Sequence, residues 1–356
     1  PLGRHQARAS EEADRLRTAL HAEQRPAALD GLTAALRRVG AHCHQAGLDL
    51  PALAAVRVSQ DSVELQWAEP SFSPPSGFGG DDRAWVAPLP VEDVRDQPCP
   101  FPALVSLGTA ADGVVLLVDA ERSRVLGIAG DEELQADALA AMGVELACAP
   151  WSSEARLVVS GSGAELVLRA GAERVQVTSA DEALDTLGSV VSGRRGALAS
   201  EPLGRLRTDP DRAEAVAPWV FLFLDGLAAE VLAEIEALLS GEPAGVAVIV
   251  PTASAAPALW QVSGDPSRPE GSLAGLPGTF AAHAISASAR RGLSELLADS
   301  EPVTAPWWVE DNVYPLPRRA EEEVDIVRLS GQGSAPRLLL IGPADLVGAA
   351  GAEPSR

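Results

Sequence analysis

The sequence of 356 residues contains no lysine, so all 28 of its basic residues are arginine. Schiff-base chemistry and lysine-dependent phosphate binding are thereby excluded. Positive charge is also scarce against 50 Asp and Glu, which leaves a formal net charge of -22 and a pI near 4.6. A surface of that sign neither releases counterions from nucleic acid nor meets anionic headgroups, so broad binding of this segment to either is not expected. The three cysteines, Cys43, Cys99 and Cys148, are odd in number and widely spaced, with no CxxC or Cys/His ligand spacing. They imply no disulfide framework and fit a reducing, cytoplasmic compartment. No run approaches the roughly 20 apolar residues that cross a bilayer, and no signal peptide is present. The chain starts without Met and stops at Arg356, which reads as a piece of a longer protein.

What is present is a globular balance, 46% hydrophobic against 22% charged residues, over a length that suits two or three domains. Three regions are expected: an N-terminal α+β region over 1–100, an α/β domain over 101–302, and a C-terminal β segment over 303–356. In the first, Leu16, Leu20, Leu29, Leu32, Ala35 and Leu36 recur at helical spacing and predict an αα-hairpin or broken pair ending at Gly40 or Gly47. The alternating runs at 53–58 and 62–67 predict a β-hairpin, and the Pro/Ser/Gly-rich stretch 69–82 a loop. The second region alternates strand and helix. Strands are predicted at 114–119, 125–128, 155–160, 174–177, 219–225 and 245–252, with helices at 132–148, from Ser179 and at 227–240. Ser179 and Glu182 have the spacing of a capping box. Continuous apolar strands separated by helices predict a doubly wound, mostly parallel sheet with helices on both faces. The polar, irregular stretch near 193–217 is expected to be a mobile insertion.

Chemistry is expected where the strand at 125–128 turns into the helix. Gly127 and Gly130 sit as glycines do in a phosphate-binding loop, yet Asp131-Glu132-Glu133-Leu134 stand where its last four residues belong. Carboxylates there suit the helix dipole and repel a triphosphate. The run Trp219-Val220-Phe221-Leu222-Phe223-Leu224-Asp225 has the form of a Walker B strand, whose carboxylate holds the Mg²⁺ shell. Gly245 opens a further strand that ends at Pro251-Thr252.

This order of glycine turn, helix, strand ending in Asp and strand ending in Pro-Thr resembles the RecA-type core of FtsK/SpoIIIE motors and type VII secretion ATPases, in degenerate form. The resemblance places the Walker A lysine and hydroxyl on Glu133 and Leu134 and the catalytic glutamate on Gly226, and implies that hydrolysis is lost. Separately, the segment 335–351, with Leu340-Ile341-Gly342-Pro343 and Gly348-Ala349-Ala350-Gly351, resembles the opening of the winged-helix and bacterial transcriptional activator region of AfsR/SARP-type regulators. Together these are similar to large actinobacterial regulators with N-terminal transmembrane helices, often a LysM domain, and a C-terminal activator domain. That resemblance implies a non-catalytic pseudo-ATPase region acting as sensor or scaffold, with no cofactor, in a parent protein anchored in the plasma membrane. DNA and membrane contacts are then expected only through segments outside this chain, and the protein partner or signalling ligand is left open. Two alternatives stand beside it. One is a nucleotide switch or ATPase with an atypical cradle, using Gly127, Gly130, Asp225 and Thr252 with Arg124 or Arg194-Arg195 for charge. The other is a module that docks on a secretion or pilus-type motor.

Other candidates have simpler structural readings. His42-Cys43-His44 lacks a second ligand pair. Asp131-Glu132-Glu133 suits a first helical turn, and Asp225 can cap a following helix. Glu321-Glu322-Glu323 reads as a solvated turn, and Trp307-Trp308 as core or partner contact. Ser160-Gly161-Ser162-Gly163 is not followed by a long helix as a nucleophile elbow requires.

Overall fold

The computed structural model describes residues 26–198, 201–241, 243–252, 258–274, 276 and 278–299, with two short strands at 337–339 and 345–347. Helix α1 (Pro26–Ala46) leads into strands β1 (Leu53–Val58), β2 (Ser62–Trp67), β3 (Gly79–Gly80), β4 (Ala84–Pro88), β5 (Leu104–Thr109) and β6 (Val115–Asp119). The short helix α2 (Ala120–Ser123) precedes β7 (Val125–Ala129), α3 (Glu132–Cys148), β8 (Arg156–Ser160), α4 (Ala164–Ala170), β9 (Val175–Val177), α5 (Ala180–Leu198) and α6 (Leu203–Thr208). There follow β10 (Trp219–Phe223), α7 (Ala229–Leu239), β11 (Val246–Pro251), β12 (Ala258–Asp265), β13 (Arg268–Leu273), β14 (Phe280–Ala282) and α8 (Ala287–Asp299).

Strands β1 to β14 form a single sheet in the order β3-β4-β2-β1-β6-β5-β14-β13-β12-β7-β11-β10-β8-β9. From β12 to β9 every neighbouring pair is parallel, and from β3 to β12 every pair is antiparallel. Counted from β7, the strands β7, β8, β10, β11 and β12 lie in the order 5-1-4-3-2, with β9 added at the edge. The sequence shows why both faces are covered. Along β10, Val220 and Leu222 enter one apolar core and Phe221 and Phe223 the other. Strand β11 repeats this, with Ala247 and Ile249 on one side and Val246, Val248 and Val250 on the other. A period of two in an unbroken apolar run therefore feeds α3 and α4 on one face and α5 and α7 on the opposite face.

The local signals behave as their chemistry dictates. Helix α1 runs through Gly40 and stops at Gly47, whose φ of 63° suits glycine. There Leu48 N–H donates to Cys43 O at 2.9 Å and Gly47 N–H to His44 O at 3.2 Å, the paired bonds of a Schellman end. The capping box of α5 is formed, with Glu182 N–H bonded to Ser179 Oγ at 3.3 Å and Ser179 N–H to Glu182 Oε2 at 3.2 Å.

Elsewhere the structure differs from the sequence expectation. Residue 100 is not a break, because β5 and β6 join β1 in one ladder and Leu104, Val115 and Leu117 share a core with α1 and Trp85. The stretch near 193–217 is not a loose insertion in its described residues. It holds the end of α5, where half-buried Arg194 bonds the carbonyls of Ala217 and Gly245, then α6 and a 3-10 turn at 213–216 joined by a buried arginine. Arg207 is 3% exposed, pairs with Glu121 at 3.0 Å and donates from Nε to Val216 O at 2.7 Å. Its polarity misled because a paired guanidinium packs inside where an unpaired one cannot. The antiparallel strands β12 to β14 and helix α8 were not anticipated. The first helix at Leu16 and Leu20, Trp307-Trp308 and Glu321-Glu322-Glu323 lie outside the described residues. Of the C-terminal motif only β15 (Arg337–Leu339) and β16 (Asp345–Val347) are described, paired antiparallel.

Candidate functional site

The strand-to-helix turn after β7 is too short for a phosphate cradle. Gly127 lies inside β7, paired with Val250 of β11 and Leu259 of β12. Only Gly130 and Asp131 separate Ala129 from the first residue of α3, Glu132. This corrects the expectation that Gly127 opens a loop: two parallel neighbours keep the ladder going past it. Gly130 is required by contact, since its φ is 153° and a Cβ there would meet Val262 O at 2.3 Å. The carboxylates at the helix start remain, with Glu132 and Glu133 in the first turn, while Asp131 makes no side-chain capping bond.

Three of the four anticipated residues lie at one end of the sheet, and of these Asp225 lines the crevice there. Gly130, Thr252 and Asp225 follow the carboxyl ends of β7, β11 and β10, which are adjacent in that order. A crevice at that end of a parallel sheet is where ligands of open α/β folds are held. Thr252 N–H donates to Ile128 O at 2.8 Å. Gln135 of α3 donates from Nε2 to Ile128 O at 3.1 Å and Thr252 O at 3.4 Å, stitching the two strand ends together. Asp225 does not cap the helix that follows it. Its Oδ2 accepts from Ser162 N–H at 3.1 Å and Ser162 Oγ at 3.4 Å, across to the loop before α4. Gly161, with φ of 104°, lets that approach happen, because a Cβ there would lie 2.9 Å from the Asp225 N and Oδ2 atoms.

The resulting crevice of about 740 Å³ is bounded by α3, α4, the strand ends and α8. Its charged lining is Glu132, Glu165, Asp225 and Glu295 against Arg290 and Arg291. Arg290 is already committed to Asp137 at 3.0 Å, so the net lining is acidic. Asp137 is only 2% exposed, and burial raises its pKa more than Arg290 lowers it. The carbonyl of Asp137 also accepts Ile285 N–H at 3.0 Å, and Leu293 and Leu296 of α8 pack on Ala140, Ala141, Val144 and Leu166. Sequence reasoning missed Gln135, Glu165, Arg290 and Arg291. The one local hint was the small-residue run at 160–163, which lets a loop approach the strand ends.

The arginines considered as substitutes for lysine lie at the opposite end of the strands, before β7, β10 and β11. Arg124 precedes β7 and donates to Gly241 O. Arg194 donates to Ala244, Gly245 and Ala217 carbonyls, and Arg195 to those of Leu238 and Ser240. A five-residue strand puts them about 17 Å from the crevice, so the atypical cradle that needs their charge is not assembled. His42, Cys43 and His44 form no site either. Cys43 is fully buried, with its thiol pushed up to about 12 by burial, and His42 lies 5.6 Å from the Phe72 ring and 6.5 Å from that of Trp85. Among the described residues no group of three or more His, Cys, Asp or Glu could hold a metal, and no helix is long and apolar enough to cross a membrane.

No protein-family model and no curated protein matches the chain. Among solved structures, it is similar to the cytoplasmic domain of the type VII secretion ATPase EccC of Thermomonospora curvata, with a TM-score of 0.40 and 16% identity over 56% of this chain. The match spans about a third of that domain, 32% of its chain. It is a distant likeness of fold.

Proposed function

We propose that this chain is a non-catalytic, pseudo-ATPase region that serves as sensor or scaffold in a membrane-tethered transcriptional regulator. It passes a partner or ligand signal to a C-terminal activator domain. The observation that carries the non-catalytic reading is the two-residue turn Gly130-Asp131, which runs straight into Glu132 and Glu133. Backbone donors that cradle phosphate need a longer loop, and the charge at this helix start has the wrong sign. An acidic crevice beside it offers Asp225 as a carboxylate and, with Arg290 tied to Asp137, sets Arg291 alone among its described lining residues against four carboxylates, a balance that disfavours a triphosphate. The membrane tether, the LysM module and the activator domain rest on the resemblance of the sequence alone, and DNA contact belongs to residues outside this chain.

Titration calorimetry of Mg-ATP into the purified chain, with Mg-ADP and Mg-GTP alongside, tests the reading. No heat at millimolar nucleotide is the expected result. Micromolar binding would overturn it in favour of a nucleotide switch, and loss of that binding in Asp225→Asn would place the nucleotide in the crevice.

A further inference from the structure

A second polar assembly lies away from the crevice, and no motif announced it. Glu145 of α3 is 1% exposed, and its Oε2 accepts from Ser106 N–H at 2.7 Å and from Ser106 Oγ at 3.1 Å. Ser106 Oγ lies 2.8 Å from His283 Nδ1, and His283 Nε2 lies 2.9 Å from Thr109 Oγ1. With the Ser106 hydroxyl proton directed at Glu145, Nδ1–H donates to Ser106 and Nε2 accepts from Thr109; with a protonated Glu145 donating to Ser106, each bond reverses and Nε2–H donates to Thr109. Ser106 and Thr109 are three residues apart on β5, and strict alternation would send them to opposite faces. A bulge resolves this: Ser106 pairs with Leu117 and Gly108 with Leu116, so Leu107 is the extra residue and both hydroxyls reach one imidazole.

The place matters as much as the bonds. Strand β14 is the three-residue joint between the two parts of the sheet, with two register pairs to β13 and two to β5. His283 follows it directly and also donates its backbone N–H to Leu107 O at 3.0 Å. Next in the chain is α8, one wall of the acidic crevice. Thr109 and His283 border an open cleft of about 900 Å³, which gives water a route to the assembly.

A hydroxyl beside a histidine suggests nucleophilic chemistry, but the electrostatics oppose it. Burial presses His283 down to about 4 and pushes Glu145 up to about 8, so at neutral pH both are uncharged and nothing supports an imidazolium. Among the described residues, the charged groups around this strap are Arg268 and Glu270 in the cleft, the Asp137–Arg290 pair between α3 and α8, and Arg291 and Glu295 of α8 with Glu132 and Glu165 in the crevice. Neither Glu145 nor His283 owes its shift to any of them, because burial acts on both and Ser106 alone opposes it at Glu145.

We propose that the chain Glu145–Ser106–His283–Thr109 is a proton-operated latch that holds the β14–α8 strap, and with it one wall of the crevice, against the sheet. While Glu145 keeps its proton the assembly is neutral and closed. Loss of that proton leaves a carboxylate in a buried site with both of its accepted hydrogen bonds on Oε2, and opening the strap to water relieves the cost of burying the charge. The latch depends on no particular ligand in the crevice and stands whether or not nucleotide binds there.

Hydrogen exchange of the full chain at pH 6.5 and 8.5, corrected for intrinsic exchange and referenced to β10 and β11, is the test. Glu145 at about 8 when closed and at its ordinary 4.5 when open favours opening as pH rises. His283, moving from about 4 to its ordinary 6.5, offsets roughly half of that gain over this window. The net expectation is about a tenfold rise in the opening constant of residues 280–299. Glu145→Gln is expected to abolish the rise, and Ser106→Ala to loosen the strap at both pH values. Unchanged relative protection in the parent chain, or the same rise in Glu145→Gln, overturns the latch. Should Glu145→Gln fail to fold, Thr109→Val at the open end must loosen the same peptides, and undiminished protection there overturns it equally.

Discussion

Replacing Arg207 with methionine is the sharpest probe of how the 193–217 stretch is held. The guanidinium is 3% exposed and makes two kinds of bond, to the Glu121 carboxylate at 3.0 Å and to Val216 O at 2.7 Å. Methionine keeps much of the stem volume but removes both, and leaves Glu121, 12% exposed, without its cation. Breaking a buried pair from one side costs about 3–5 kcal/mol, because the orphaned charge keeps its desolvation penalty. Against a typical total of about 5–15 kcal/mol, that is a large fraction. Urea unfolding followed by tryptophan fluorescence is expected to show a lowered midpoint with an unchanged slope. Removing both charges in Arg207→Met/Glu121→Leu is expected to recover most of the loss, since no unpaired ion remains. Arg205→Ala is the control: that side chain is 48% exposed and pairs with the exposed Asp49 at 2.6 Å, so about 1 kcal/mol or less is expected. A cost below about 1 kcal/mol for Arg207→Met would refute the view that this arginine anchors the segment.

Two further outcomes follow from the same geometry. Gly130→Ala introduces a Cβ at 2.3 Å from Val262 O at a φ that side chains avoid. It is expected to lower stability by about 2 kcal/mol or more in the same urea assay, and a neutral result would mean that the turn is not held against β12. Glu145 makes stability fall with rising pH, because its folded pKa of about 8 exceeds the ordinary 4.5 and the folded chain binds the extra proton between those values. Its contribution is fully present below 4.5 and is lost as pH rises through 8. Between pH 7 and 8 Asp119, at about 7, titrates in both proteins alike, so the difference between parent and Glu145→Gln isolates Glu145 and is expected to change by about 1 kcal/mol. Parallel stability curves for the two proteins across that interval would show that Glu145 is not held protonated by the fold.

Much of the frame was legible in the sequence. The runs that became β8, β10 and β11 have continuous apolar centres because both faces of a parallel strand are covered, and their shortness separates them from a buried helix. Ser179 and Glu182 announced the start of α5 because a capping box is a bond between neighbours in the chain. Carboxylates after Gly130 were readable as hostile to phosphate for the same reason: charge at a helix start acts locally. Tertiary structure alone decided the rest. Whether Gly127 opens a loop or continues a strand depended on β11 and β12 lying on either side of β7, which glycine spacing does not encode. Asp225 found Ser162 at a separation of 63 residues, and His283 found Ser106 at 177. Local periodicity fixes which face a residue takes, but the partner across that face is set by strand order and by a single bulged residue in β5. Those depend on the packing of the whole sheet.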